Sequence, residues 1–248
     1  IADAGCKLAY VDKDQAESRA VAYISGDAAY IEACLSGDLH TTVARMVWPD
    51  LPWTGNLKSD REIAEQPFYR HFSYRDMAKR GGHGTNYYGS PRTMAKHLKV
   101  TEELMKGFQD AYFTAFPKIR EWHHTIARQV QTKGFMVTAL GRRRHFLGRR
   151  FDEDTLREAI AFEPQSIVGE LLNLFLWRVW KFERRVQILA QIHDAILFQY
   201  PAEIEADVLA EVHKLGRTEV NFPSGVMVIP TSAEVGWNWA KVTKDNPH

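Results

Sequence analysis

Two aspartates stand where short apolar runs end: Asp12, which closes Leu8-Ala-Tyr-Val, and Asp194, within Gln191-Ile-His193-Asp194-Ala-Ile-Leu-Phe198. Carboxylates converging from separate strands can hold two Mg²⁺ ions roughly 3.5–4 Å apart, the arrangement used for in-line phosphoryl transfer. Between them in sequence, Arg75, Lys79 and His83 recur every four residues. That spacing stacks them one turn apart on a single helical face. Cationic groups so placed repel mildly, and a polyanion seated on the face removes the repulsion. Arg presents a planar fork to phosphate oxygens, while Lys is a compact charge that can also give up a proton. An acid pair with a cationic helix suits a nucleoside triphosphate.

Each feature has a plainer reading. A strand-end Asp is commonly a turn former or a helix cap, and a cationic row is commonly solvated surface. Singly, those readings win; jointly, the metal and triphosphate reading is the better account. His193 fits either a polar pair at a hairpin tip or a metal ligand. Zinc would need further ligands at suitable spacing, and neither His97 nor His123-His124 supplies them. Arg157, Ala161 and Gln165 also recur every four residues, as the rim of a core helix or as a polar ladder along a nucleic-acid groove. Arg142 and Arg143 are either generic surface or phosphate contacts that fix the register of a duplex.

The elements that must position these groups belong to a chain of 248 residues, enough for one large domain or two small ones with a substantial core. Hydrophobic residues at 45% and charged residues at 25% describe an ordinary globular composition. The net charge of +1 makes any nucleic-acid footprint local, at clusters such as Arg142-Arg143-Arg144, Arg149-Arg150 and Lys79-Arg80. Two cysteines, Cys6 and Cys34, form no disulfide framework, so a reducing cytoplasm is the default compartment. No apolar run approaches the roughly 20 residues of a spanning helix. The chain opens on Ile1-Ala-Asp without Met or a signal-peptide pattern, which reads as a piece of something longer.

Lys7 to Val11 reads as a strand, Gln15 to Tyr23 as a helix stopped by Gly26, and Asp27 to Leu35 as a helix closed by Gly37. A further helix runs from His40 through Val47. Pro49 to Pro67 reads as a loop or insertion. Arg75 opens a helix carrying Gly81, Gly82 and Gly84. Each glycine costs roughly 1 kcal/mol there relative to Ala, so backbone approach to a ligand, or flexing, is expected. Thr101 to Val130 is helical with a break at Pro117, Phe135 to Phe146 is a hairpin, and Thr155 to Phe182 is a long helix bent near Pro164. Leu189 to Tyr200 is a hairpin tipped by His193-Asp194, and Met227 to Trp239 is a strand with aromatic packing.

With these residues in order, the chain resembles the C-terminal portion of family A DNA polymerases, the bacterial DNA polymerase I type including phage members. Asp12-Lys-Asp-Gln15-Ala-Glu17-Ser-Arg19 resembles motif A, followed by Ser25-Gly-Asp and Asp38-Leu-His40. Arg75-x3-Lys79 through Tyr88-Gly89 resembles motif B, and Gln191-Ile-His193-Asp194 motif C. Arg157-x3-Ala161-x3-Gln165-Ser166 matches the primer-template helix, and Glu234-Val-Gly-Trp-Asn238-Trp239 the family's ending. The resemblance implies an α+β right-hand fold: a palm built on an antiparallel sheet (1–40 and 135–248) with helical fingers (41–134, including a loop or insertion at about 49–67). Thumb and exonuclease domains would precede Ile1. The isolated 248 residues would accordingly bind primer-template weakly and extend it poorly.

The implied activity is template-directed addition of deoxynucleotides to a primer 3′-hydroxyl, in replication or repair, within a bacterial or phage-infected cytoplasm. Asp12 and Asp194 would hold two Mg²⁺ ions, with Mn²⁺ as an alternative, aided by the Lys13 carbonyl. Arg75, Lys79 and His40 would clamp the triphosphate, with Lys79 protonating the pyrophosphate, and Gln15 would lie at the nucleotide. Glu17 would fill the space a ribose 2′-hydroxyl needs. His83 would sit against the incoming sugar, and Tyr87 or Tyr88 near the templating base. Arg142, Arg143, Arg157, Gln165 and His193 would contact primer-template DNA. Glu17 and Gln15 argue against a single-subunit RNA polymerase. The retained aspartates and the Arg75/Lys79 pair argue against a non-catalytic nucleic-acid-binding module. Departures from the family pattern are one extra residue between Lys79 and the Tyr-Gly pair, His83 for the usual Phe or Tyr, Ala161 for Asn, Ala195 for an acidic residue, and Gly81-Gly82 in the fingers helix.

Overall fold

A computed structural model describes residues 1–239; residues 240–248, the end of the span assigned to the palm, lie outside it. In chain order the elements are β1 (Cys6–Lys13), α1 (Ala16–Ser25), α2 (Ala28–Leu35), α3 (Leu39–Val47), α4 (Leu57–Ala64), β2 (Pro67–Tyr69), β3 (Phe72–Ser73), α5 (Tyr74–Asn86), α6 (Pro91–Leu98), α7 (Glu102–Ala115) and α8 (Pro117–Lys133). There follow β4 (Phe135–Val137), β5 (Arg143–His145), α9 (Glu153–Phe182), β6 (Gln187–Ile192), β7 (Ala195–Pro201), α10 (Glu205–Gly216), β8 (Glu219–Phe222), β9 (Gly225–Val228) and β10 (Thr231–Gly236). The fold is α+β, as expected. Its paired strands in the main sheet are all antiparallel.

Two compact units divide the chain. One gathers Ile1–Glu17, Gln165–Asn221 and the segment from Val226; the other gathers Ser18–Pro164 with Phe222–Gly225. The first is built on a four-stranded sheet in the order β10-β1-β7-β6. Alternation along β1 buries Ala9, Val11 and Lys13 while Tyr10 and Asp12 stay half-exposed, the period-2 pattern of a sheet packed on one face. The buried face meets Leu172, Phe175 and Val179 of α9 and Val208 and Val212 of α10. β1 does not stop before Asp12 but continues through Lys13, so Asp12 is held by neighbours on both sides, opposite Ser232 in β10 and Ala195 in β7.

The second unit is helical. Asp27 and Asp38 cap α2 and α3, accepting from the Tyr30 and Thr41 amides, the N-cap chemistry that ends a run of unpaired N–H groups. The stretch Pro49–Pro67, expected to be a loop, contains α4. Asn56 caps it, and its inward residues are Asp60 and Ala64. Asp60 is 2% exposed and accepts from the Thr54 amide at 2.7 Å and the Thr54 hydroxyl at 2.9 Å. A helix that buries a carboxylate shows no apolar stripe. Two further helices, α6, opened by Ser90 and Pro91, and α10, form where the sequence pattern marks none. α9 runs through Pro164 as one helix.

The glycines of α5 answer to packing. A Cβ on Gly81 would lie 2.7 Å from Phe108 Cε1, one on Gly82 3.1 Å from Tyr112 Cε2, and one on Gly84 2.5 Å from Met94 Cε. They let α5 approach α7 and α6 closely, and no ligand is needed to explain them. Phe108 is wedged between Trp48 and Tyr112 and has little freedom to yield. Gly81→Ala therefore destabilises the unit: overpacking of about 1–3 kcal/mol outweighs a helix-propensity gain of about 1 kcal/mol. In α7, Gly107 has open space around it, so Gly107→Ala gains the propensity without the clash. Thermal melts of the two variants should move in opposite directions; a Gly81→Ala protein melting at or above wild type would contradict the packing account.

Candidate active site

In the sheet unit, His193 and Asp194 form the two-residue turn between β6 and β7, with His193 in the left-handed region at φ 52°. The Lys13 amide donates to the Asp194 carbonyl at 3.2 Å, which fastens the turn to the end of β1. The Ser232 hydroxyl donates to Asp12 Oδ1 at 2.8 Å. Burial raises the Asp12 carboxyl above its usual range; the Ser232 bond opposes this, and the charges of Asp14 and Asp194 add to it. Tyr10, on the same face of β1, is likewise raised by burial and then by Asp12, Asp194 and Glu234. The two aspartates thus share one negative field.

That donor set suits Mg²⁺. Among the described residues no group of three or more His, Cys, Asp or Glu side chains forms a metal cage. Mg²⁺ keeps several waters and takes one or two carboxylates plus substrate phosphates, whereas a closed protein cage suits other ions. Glu17 lies half-buried in the first turn of α1, next to Gln15, whose φ of 53° is left-handed. The Lys13 side chain points away from Asp12 into the core: it is 1% exposed, and burial followed by the Arg178 charge pushes its pKa down to about 8.

In the helical unit, α5 opens with a reciprocal capping box between Ser73 and Asp76, the device that satisfies two orphan amides at once. Along it Arg75, Lys79, His83 and Tyr87 form one row, and the His83 and Tyr87 rings meet edge to face with centroids 4.9 Å apart. Tyr87 therefore continues the cationic face. Tyr88 does not: its φ is 62°, its ring stands edge-on to His123 at 5.4 Å, and it lines a separate cavity of about 300 Å³ with Thr85, Gln109, Phe113 and Arg120.

Arg75 is not a bare cation. Its Nε donates to Asp38 Oδ2 at 3.2 Å and its Nη2 to Asp38 Oδ1 at 3.0 Å. A guanidinium has five N–H donors, so an anion can still be bound by the remainder. Burial raises the Asp38 carboxyl, but the bonds from Arg75 and Thr41 outweigh it and hold the pKa below the usual value. Because Asp38 caps α3, the bidentate pair fixes His40, in that helix's first turn, near the α5 row. Burial, then the Arg75 and Lys79 charges, lower His40 to about 4.

His123 is 2% exposed, and its Nε2 lies 2.9 Å from the Asn86 carbonyl. Burial, followed by the charges of His124 and Arg120 against that opposing bond, lowers it to about 4. Both histidines have folded-state values below the unfolded 6.5, so the unfolded chain binds more protons between those limits. The stability they contribute is complete above about pH 6.5 and is lost as the pH falls toward about 4, by about 3 kcal/mol for His123 over the window. Urea midpoints should therefore fall as the solution is acidified across that range, and His123→Gln should flatten the fall. An identical slope in the variant would contradict the assignment.

Of the other residues singled out from sequence, Arg142 and Arg143 are exposed on the β4–β5 hairpin, with the Arg143 guanidinium 4.1 Å over the Phe135 ring. Arg157 is engaged on its own helix by Glu153 and Asp154, and Gln165 is exposed two turns further along the same row. The structure brings Asp12 to Asp194, and Arg75 to Lys79, His83, Tyr87 and His40. Ser232 holds Asp12 and Asp38 holds Arg75; Asp38 stands in the Asp38-Leu-His40 stretch singled out from sequence, but nothing there announces its bond to Arg75. Asp38 had a usable signal as a helix cap; Ser232 had none.

Comparison with known proteins places these features in context. The family model for DNA polymerase family A matches residues 1–241. The thermostable DNA polymerase I of Thermus aquaticus is 28% identical over 244 residues, covering 95% of this chain and 27% of that protein. The DNA polymerase of Mycobacterium phage D29 is 27% identical over 237 residues, covering 95% and 35%. The solved POL domain of Pol1 from M. smegmatis, in complex with DNA primer-template and dNTP, superposes with a TM-score of 0.75 at 24% identity over 94% of this chain and 40% of that one. The chain thus spans about a third or less of the length of the curated relatives it matches. No helix among the described residues is long and apolar enough to cross a membrane.

Proposed function

The chain belongs to DNA polymerase family A, and from that premise we propose that it is the palm and fingers core of a template-directed DNA polymerase. The reaction is attack of a primer 3′-hydroxyl on a deoxynucleoside triphosphate with release of pyrophosphate, in replication or repair in a bacterial or phage-infected cytoplasm. Residues 1–40 and 135–248 serve as palm and 41–134 as fingers, with thumb and exonuclease functions supplied by other parts of a longer polypeptide. The observation that carries the reading is the adjacency of Asp12, opposite Ala195 in the sheet, to the turn residue Asp194, whose carbonyl accepts from the Lys13 amide and whose charge acts on Asp12.

Asp12 and Asp194 hold the metal ions, with the Lys13 carbonyl as an additional donor. Mg²⁺ bound there, or Mn²⁺ in its place, supplies activation of the 3′-hydroxyl and stabilisation of the charge on the leaving pyrophosphate. Ser232 keeps the Asp12 carboxylate oriented. Arg75, Lys79 and neutral His40 bind the triphosphate, and Lys79 delivers a proton to the departing pyrophosphate. Glu17 and Gln15 favour deoxyribose, while His83 and Tyr87 present rings to the nucleotide. Tyr87 is preferred to Tyr88 because it shares the α5 row. Arg142, Arg143, Arg157, Gln165 and His193 contact primer-template.

The test is primer extension by the full-length polypeptide with Mg²⁺ or Mn²⁺. Incorporation directed by the template base, one pyrophosphate per nucleotide, and preference for dNTPs over NTPs are expected. Absence of templated incorporation with either ion would overturn the proposal, and equal use of NTPs would redirect it to an RNA polymerase.

A further inference from the structure

We propose that the Lys13 side chain is a positioning residue for the two catalytic aspartates, tethering the end of β1 to the C-terminal turn of α10. This rests on the polymerase reading above. The inward positions of β1 are Ala9, Val11 and Lys13, and the last is a cation where the pattern calls for an apolar side chain. Its Nζ donates to the Gly216 carbonyl at 2.8 Å and lies 5.2 Å from the centre of the Phe175 ring. A buried ammonium is costly unless its charge is met. Here it meets the carbonyl end of a helix, where cations are stabilised.

That helix end is itself immobilised. Arg178 donates to the Leu215 and Arg217 carbonyls at 3.3 and 2.9 Å. On the opposite side, His213 Nδ1 lies 2.7 Å from the Thr231 hydroxyl, and Thr231 is the β10 residue paired with Lys13. Gly216 has no slack either, since a Cβ there would be 3.1 Å from both Phe175 and Thr231. Lys13 is thus anchored through its side chain to a fixed point. Its backbone amide holds the Asp194 carbonyl, and its preceding residue is Asp12. One side chain sets the position of the strand carrying one carboxylate and of the turn carrying the other. A side chain that merely filled volume could be replaced by methionine without consequence at the site.

The test compares Lys13→Met and Lys13→Arg in the full-length polypeptide. Mn²⁺ affinity is read by electron paramagnetic resonance with a dideoxy-terminated primer and bound dNTP, so that no chemistry occurs. Lys13→Met should weaken Mn²⁺ binding about 10-fold or more, as loss of groups that orient metal ligands does. In turnover assays kcat should fall while KM for dNTP is unchanged. Lys13→Arg, which keeps a donor for Gly216, should recover most of the affinity. Wild-type Mn²⁺ affinity in Lys13→Met, or no recovery in Lys13→Arg, would overturn the tether. If wild-type protein itself binds no Mn²⁺ through Asp12, as judged with Asp12→Asn, the polymerase reading fails instead. Should Lys13→Met not fold, Arg178→Met loosens the same helix end from the other side. Exchange of the Lys13 amide should then quicken, and unchanged exchange would overturn the proposal.

Discussion

Asp12→Ala and Asp194→Ala should each lower the single-turnover rate of nucleotide incorporation by about three decades or more, which corresponds to about 4 kcal/mol of transition-state stabilisation. The magnitude follows from the donor set. Ala195 follows Asp194, so no adjacent acid stands in for that carboxylate, and Asp14 and Glu234 add charge to the field without a place in the proposed metal site. The loss should be catalytic, because Asp12 is half-exposed and its side-chain partner is the Ser232 hydroxyl, which solvent can satisfy in its place. A useful companion is Asp12→Asn, which keeps an oxygen for Ser232 while removing the charge. If it is as inactive as Asp12→Ala, charge is the property that matters. Either alanine variant retaining incorporation within about tenfold of wild type, a difference of only about 1.4 kcal/mol, would remove both residues from the catalytic assignment.

Lys79→Ala should reduce kcat by about 10²–10³-fold, the range expected when a positioned proton donor is lost. Lys79 is exposed on the α5 row, so little stability is at stake and a kinetic effect is not confounded by unfolding. The variant has a second readout. The Lys79 charge is one of the causes that depress His40, and its removal should let the His40 pKa rise toward the ordinary histidine range, as followed by proton NMR. Arg75→Ala should behave differently. It leaves Asp38 without its fork, so a stability loss should accompany weaker dNTP binding, whereas Lys79→Ala should show the rate effect alone. A Lys79→Ala enzyme with kcat within threefold of wild type, about 0.6 kcal/mol, would contradict its role.

Local signals explain why some elements are legible in the sequence. Gly26 and Gly37, which stop α1 and α2, make the helices of this stretch legible, while the caps Asp27 and Asp38 set starts that apolar spacing alone does not mark. The His193-Asp194 hairpin is legible because apolar runs flank a two-residue break. The α5 row depends only on helical spacing and survives intact, extended by Tyr87. Long-range reasons govern the rest. α4 escapes the pattern because its inward residue is Asp60, satisfied by Thr54, and periodicity arguments count a carboxylate as outward. Gly81, Gly82 and Gly84 look permissive for a ligand until Phe108, Tyr112 and Met94 are placed against them. Lys13 looks like one more surface lysine until the strand's alternation turns it inward.

The site divides the same way. Asp12 and Asp194 can be picked out from strand ends, yet the groups that hold them are distant in sequence. Ser232 reaches Asp12 across the β1–β10 register, and no local pattern around Ser232 suggests it. Arg75 and Asp38 are each unremarkable alone, and only the packing of α3 against α5 shows that they share two hydrogen bonds.

The central claim is that Asp12 and Asp194 serve one common cation site, and a double-mutant cycle in metal binding tests it most directly. Mn²⁺ affinity should be measured by electron paramagnetic resonance for wild type, Asp12→Asn, Asp194→Asn and the double variant, each with primer-template and a nonhydrolysable dNTP. The account predicts that each single substitution weakens binding severely and that the second adds little to the first, because residues sharing a site are not additive. Losses that simply add, or a single variant that binds Mn²⁺ as wild type does, would show that the two carboxylates act apart and would contradict the account.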